Sequence, residues 1–163
     1  MMHDPEADWH LVLQDDALVC PGLLGMLADG LEWVYPRAVV SLYLGDVRPA
    51  PTVWAGLARR ADSVGAAWVV GPKLSWGLAV VLPVHAIEPM IAEGDRLGGV
   101  PDDMRIGRWA HLARYESWYT WPSLVDHAAG ESLVGHTVVR RARRFVGEDG
   151  PVEWHPAGPV VRR

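Results

Sequence analysis

The 163-residue chain has one cysteine, one phenylalanine and one lysine, and no surplus of positive charge. Cys20 alone excludes an internal disulfide and a cysteine-rich zinc site. Fifteen Lys and Arg stand against 20 Asp and Glu, a formal charge of −5, which argues against a general nucleic-acid binder. Long apolar runs are missing too. The longest, from Gly77 to Ile87, is interrupted by Pro83 and His85 and falls short of the roughly 18 residues of a spanning helix. The stretch from Met1 to Glu6 has neither the basic region nor the apolar core of a signal peptide. The expected compartment is therefore the cytoplasm, with no membrane span.

What is present points to one folded domain. Half of the residues are hydrophobic, which excludes disorder for most of the chain. Fourteen of the 15 basic residues are Arg, with Lys73 the exception, and Ala, Gly, Pro and Val abound. That bias is the codon signature of a GC-rich genome, as in actinobacteria and their phages, and says nothing about function. Nine Trp are left to supply most of the large aromatic surface. A Trp serves equally well in a core or where a ring meets a partly polar ligand.

Hydrophobic periodicity sets out the organisation. Residues 1–8 are polar and form a flexible N-terminus. Trp9 to Gln14 reads as a short buried strand that stops at Asp15-Asp16. Pro21 opens an amphipathic helix over about 21–33, in which Leu23, Leu24, Met26, Leu27 and Leu31 recur at helical spacing. Ala38 to Leu44, Ala67 to Val70 and Trp76 to Leu82 read as further strands, and Trp54 to Ala61 as a short helix. A helix from Pro83 to about Leu97 and another from about Asp103 to Arg114 follow, then a strand over 118–125 interrupted by Pro122. Alternating strands and helices predict a single α/β layered domain over 9–146, with a mixed, mostly parallel sheet and an irregular tail over 147–163.

Leu11-Val12-Leu13-Gln14-Asp15-Asp16 is the most informative segment. Two adjacent carboxylates ending an apolar strand repel each other, so water, backbone donors or a cation must compensate them. Ligands in open α/β sheets gather at the carboxyl ends of strands. A hard cation such as Mg²⁺ or Mn²⁺ takes one or two carboxylates plus phosphate oxygens. Asp15 and Asp16 can thus hold a metal that bridges to a diphosphate, or they can simply occupy a turn or cap a helix. Val100-Pro101-Asp102-Asp103-Met104 sets a second acidic pair before a second helix. Asp102 suits the N-cap, and either carboxylate there can act as a general base toward a hydroxyl.

Further on, Tyr119-Thr120-Trp121-Pro122-Ser123-Leu124-Val125-Asp126-His127 is followed by Ser132 and His136. Both His are candidate metal ligands or phosphate partners, or plain surface residues. Trp118, Tyr119 and Trp121 nearby can stack on a sugar or fill the core. Arg140, Arg141, Arg143 and Arg144 form a basic run, either solvated or turned to an anion.

The order of these features resembles glycosyltransferases of the GT-A fold, in particular the bacterial family that includes lipooligosaccharide-modifying galactosyltransferases. Leu13-Gln14-Asp15-Asp16 is similar to that family's Leu-Glu-Asp-Asp motif. Trp76-Gly77-Leu78-Ala79, Pro101-Asp102-Asp103 and Pro122-Ser123-Leu124-Val125-Asp126-His127 with Ser132 follow in the family's order, so the likeness spans about 9–145. The resemblance implies a metal-dependent transfer of a sugar from a nucleotide-sugar donor to a hydroxyl on a glycan or other acceptor. By the same resemblance, Asp15, Asp16 and His127 hold Mn²⁺ or Mg²⁺ and the nucleotide diphosphate, Arg140 and its neighbours supplement that charge, and Asp103 or Asp102 is the base.

Only 14 residues precede Asp15, whereas the family carries a nucleotide-binding portion there, and Gln14 stands where Glu is common. The resemblance is thus to a truncated GT-A fold. A second copy or a partner chain completing the sheet is expected, because a missing sheet region leaves an edge and apolar surface exposed. Two other functions fit the same residues. One is a non-catalytic relative that binds carbohydrate or serves assembly, phage-encoded in one version. The other is a metal-dependent phosphoesterase using Asp15, Asp16, His127 and His136, for which no paired-ligand spacing speaks.

Overall fold

A computed structural model describes residues 6–45, 51–96, 99–128, 140–147 and 154–163, with 51 and 52 as backbone. In chain order the elements are β1 (Trp9–Leu13), β2 (Ala17–Val19), α1 (Leu23–Leu31), β3 (Ala38–Ser41), α2 (Pro51–Val64), β4 (Trp68–Gly71) and β5 (Ala79–Pro83). A 3-10 turn (Val84–Ala86) leads into α3 (Ile87–Asp95), then come α4 (Asp102–Leu112), β6 (Glu116–Thr120), β7 (Val125–His127) and β8 (Val160–Arg162).

Six strands form one sheet in the order β1-β5-β3-β6-β4-β8, and β2 and β7 pair as a separate ribbon. The sheet is mixed, as expected, but it is not mostly parallel. β1/β5, β5/β3 and β6/β4 run antiparallel, and only β3/β6 and β4/β8 run parallel. The reason is topological. No two neighbours in this sheet are consecutive strands of the chain, and strand direction then depends on crossovers that hydrophobic runs do not encode.

The inner strands are apolar on both faces because both faces are covered. Ala38, Val40, Ala79 and Val81 join the larger core with Leu23 and Leu27 of α1 and Trp54, Leu57 and Ala61 of α2. The alternate residues Val39, Val80 and Leu82 meet Ala86, Trp109 and Ala110 on the opposite face. The period-2 alternation of side chains thus builds three layers, helix on sheet on helix. β1 is only half buried, since it lies at the sheet edge rather than inside it. Among the described residues no helix is long and apolar enough to cross a membrane.

The tail is not irregular throughout. Val160–Arg162 adds a parallel strand to β4, and Trp154 enters the core before it. The Trp154 indole Nε1 donates to Ala67 O at 3.0 Å, and the Trp68 Nε1 donates to Pro156 O at 2.8 Å. The two rings meet edge to face at 5.0 Å, and a Cβ on Gly30 would come within 2.3 Å of Trp154 Cη2. α1 therefore has a glycine where this ring crosses it. Near the other end of the chain, Asp8 is held by Val84, whose N–H donates to Asp8 O at 2.9 Å; residues 1–5 of the expected flexible segment lie outside the described residues.

Candidate functional site

The register Leu13↔Ala79, Ser41↔Val80 and Ser41↔Tyr119 sets the carboxyl ends of β1, β3 and β6 and the start of β5 along one edge. In open α/β sheets that edge is where ligands gather. Gln14 extends the pairing by donating its N–H to Leu78 O at 2.9 Å, and Ala17 N–H closes a turn on Gln14 O at 3.2 Å. Asp15 and Asp16 are the two central residues of that turn. The chain then enters β2, whose Ala17 lies opposite His127 of β7. Asp16 is thereby delivered to His127: Oδ2 lies 3.1 Å from Nδ1, and Ala128 N–H donates to Asp16 O at 2.8 Å. The Asp16 side chain remains 53% exposed, while that of His127 is 14% exposed. The contact joins Nδ1 of the ring to the carboxylate and turns Nε2 away from it.

His127 owes its place to the Pro122-Ser123-Leu124 element. The buried Ser123 hydroxyl accepts Leu44 N–H at 2.9 Å, and Leu124 and Val125 N–H both donate to Leu42 O. These bonds lash the segment to the extension of β3. Asp126, to which the sequence pattern assigns no role, is 1% exposed. Its Oδ1 accepts the Ala142 and His127 N–H groups at 2.6 and 2.8 Å, and its Oδ2 accepts Arg141 Nη1–H at 3.2 Å. A buried carboxylate is tolerable only with such donors. It pins the segment after Arg140 to β7, and Arg141 also reaches His127 O at 3.3 Å. The available signal was a lone carboxylate following the apolar pair Leu124-Val125.

An aromatic chain runs inward from His127. The Tyr43 ring meets His127 edge to face at 5.1 Å and Trp76 at 6.3 Å. Trp76 in turn meets Trp54 at 5.2 Å and Tyr119 at 5.9 Å. Gly45 is required there, since a Cβ would lie 2.8 Å from Trp76 Nε1 and 2.9 Å from the Tyr43 ring. The Tyr119 hydroxyl accepts Ser75 N–H and donates to Lys73 O, both at 2.8 Å. Burial raises its pKa above the ordinary tyrosine value, the bonds to Ser75 oppose that, and the charge of Asp103 adds to it.

The loop so held carries Gly77 against Asp103. A Cβ on Gly77 would come 2.6 Å from the Asp103 Cβ. Asp102 and Asp103 both lie in the first turn of α4, where the helix dipole favours carboxylates. Asp102 is not the N-cap. That position is Pro101, which offers no side-chain bond, because the helix starts one residue earlier than the periodicity indicates. Asp103 Oδ1 accepts Met104 N–H at 2.7 Å.

Of the expected site residues, Asp16 and His127 touch. Asp103 joins the same edge indirectly, through Gly77 and the Leu78 carbonyl that receives Gln14. Asp15 and Asp102 are exposed, and Arg140 is exposed beside Arg141, which is the arginine engaged by Asp126. Arg144 turns instead to Asp62. Ser132 and His136 lie outside the described residues. Among the described residues, no three His, Cys, Asp or Glu side chains gather as a metal site. Beside the Asp16–His127 bond, Asp16 Oδ1 and His127 Nε2 fit Mn²⁺ or Mg²⁺ only as partners of a cation that takes most of its shell from phosphate and water. No protein-family model, curated protein or solved structure matches the chain.

Proposed function

We propose that the chain acts as a metal-dependent glycosyltransferase domain, transferring a sugar from a nucleotide-sugar donor to a hydroxyl acceptor. The observation that carries this reading is the 3.1 Å contact between Asp16 and His127, 111 residues apart in the chain, at the edge formed by strand carboxyl ends. Asp16 and His127 hold the donor diphosphate end through a bound cation, and the charge of Arg141 is already matched by Asp126. A bound Mn²⁺ or Mg²⁺ supplies charge neutralisation as the diphosphate departs. Asp103 accepts the proton of the attacking acceptor hydroxyl, and its tight seat on Gly77 holds the carboxylate at the edge. Tyr43 is buried against the His127 ring and orients it, and the candidate sugar-stacking rings Trp118, Tyr119 and Trp121 are buried in the core instead.

A second copy or a partner chain is part of the proposal. Among the described residues β1 has a neighbour on one side only, and Leu13 at its end and Leu18 and Val19 of β2 are exposed. The mass of the native assembly tests it, and a monomer contradicts it.

Thermal unfolding with UDP or GDP, with and without Mn²⁺, tests the main reading. Binding to the folded state alone raises stability by about 2.7 kcal/mol at a hundredfold excess over Kd. A Mn²⁺-dependent rise that is lost in Asp16→Asn is expected, and Asp103→Asn should keep the rise but lose transfer. An Asp16→Asn protein that binds as tightly as wild type removes the site assignment. Stabilisation by an oligosaccharide and by no nucleotide supports the non-catalytic carbohydrate-binding alternative instead. Phosphate release from a simple phosphoester supports the phosphoesterase.

A further inference from the structure

The amino ends of β3 and β6 lie side by side, Ala38 opposite Glu116, at the other end of these strands from the edge that carries Asp16 and His127. The segments that enter them are locked together. Glu116 N–H donates to Arg37 O at 2.9 Å, Arg37 Nη2–H donates to Ala113 O at 3.0 Å, and the Arg37 guanidinium lies 5.5 Å from the centre of the Tyr115 ring. Three large apolar side chains on these segments are left uncovered: Trp33 is 58% exposed, Tyr35 61% and Leu112 60%. Val34 between the two aromatic residues is buried, and Pro36 restrains Tyr35 to extended backbone, so the rings are set outward before any partner arrives.

Arg37, Arg108 and Arg114 belong to the same segments, and all three are exposed. Among the described residues none of them has a carboxylate within ion-pair distance. Residues 32–37 and 108–116 hold two carboxylates. Glu116 is taken by Arg162, which leaves Glu32, and Asp8 lies two strands from β3, beyond β5. Arg114 also holds a left-handed backbone, φ 59°, where glycine is the unstrained residue. In a chain of net charge −5, cations gather here against the overall sign.

We propose that this end of the protein docks on an anionic membrane surface, lying on it without crossing it. Three features select that partner. Trp and Tyr rings settle at the headgroup level of a bilayer, with the apolar body inward and the polar tip in water. Leu112 suits acyl chains and offers no stacking face to a base or a sugar, which counts against a nucleic acid or a glycan. Guanidinium groups without a carboxylate partner are drawn to anionic headgroups, each worth roughly a fivefold gain in affinity near such a surface. None of these residues belongs to the Asp16–His127 site, and the inference does not rest on the glycosyltransferase reading.

Co-sedimentation of the full chain with vesicles of phosphatidylcholine, and with vesicles of phosphatidylcholine and phosphatidylglycerol in equal parts, tests it. Binding to the mixed vesicles alone is expected, weakened at about 1 M salt, where charges are screened within about 3 Å. Arg108→Glu and Arg114→Glu should each weaken it at least about fivefold, and Trp33→Ser should do the same from the apolar side. Arg59→Glu makes the same charge change at an exposed position of α2 and should leave binding within about twofold of wild type, as should Asp16→Asn. All these side chains are exposed, and unaltered thermal unfolding checks that the variants fold. Equal binding to both kinds of vesicle, no binding to either, a Trp33→Ser protein that binds as tightly as wild type, or an equal loss from Arg59→Glu and Arg114→Glu overturns the proposal.

Discussion

Gly77 and Asp103 approach so closely that a β-carbon on the glycine would sit 2.6 Å from that of the aspartate. Both partners at this contact are close to the backbone, so neither a rotamer change nor a flexible side-chain end can relieve it. Gly77→Ala must push the first turn of α4 away from the loop after β4. Overpacking of this kind costs about 1–3 kcal/mol. Gly25→Ala in α1 meets nothing within 4 Å and replaces a helical glycine, so it should stabilise by about 0.5–1 kcal/mol. Urea unfolding of the two variants measures both. Equal effects of the same sign would show that Gly77 is not constrained by Asp103.

That contact illustrates what the sequence made legible. Pro101-Asp102-Asp103 and Trp76-Gly77 were both visible as segments, and so were most strands. Val39, Val40, Val69, Val80 and Val81 form apolar runs because their strands are buried on both faces. The Asp15-Asp16 turn and His127 were visible as well, since charged residues ending apolar runs stand out. Their 3.1 Å contact was not, because it depends on the β2/β7 register, and each of those strands is three residues long. Strand direction was hidden for a similar reason, as β1 pairs with β5 and not with any strand near it in sequence. β8 is not legible in the sequence because Val160-Val161 is too short to show a period; its pairing with β4 and the docking of Trp154 define it.

Asp126 and Arg141 form an ion pair with unequal partners, since the carboxylate is buried and the guanidinium is partly exposed. Removing Asp126 strands the Ala142 and His127 N–H groups together with the arginine. Removing Arg141 leaves the carboxylate with both backbone donors. Asp126→Ala should therefore cost about 3–5 kcal/mol, the usual range for breaking a buried pair. Arg141→Ala should cost about 1 kcal/mol, nearer the value of one hydrogen bond. Denaturant unfolding ranks the two variants. The opposite order would mean that the guanidinium, and not the backbone amides, is what keeps Asp126 inside.

The Tyr119 hydroxyl gives the protein a stability term that depends on pH. Burial raises its pKa above the unfolded value of 10, and its bond to Lys73 O needs the proton. The protonated form is thus favoured by folding. The term is fully present below pH 10 and is lost as pH rises from there toward the folded value, because the unfolded chain ionises first. Tyr119→Phe removes the term and leaves Ser75 N–H and Lys73 O without their partner, which should cost about 1–3 kcal/mol at neutral pH. The buried Cys20 thiol also has a raised pKa and contributes a similar loss at lower pH, but it does so equally in both proteins. The gap in unfolding free energy between wild type and Tyr119→Phe should hold steady up to about pH 9 and narrow above about pH 10. A gap that stays constant to about pH 11 would show that the hydroxyl ionises as readily in the folded chain as in the unfolded one. In that case the loop carrying Gly77 is not held by a buried neutral Tyr119.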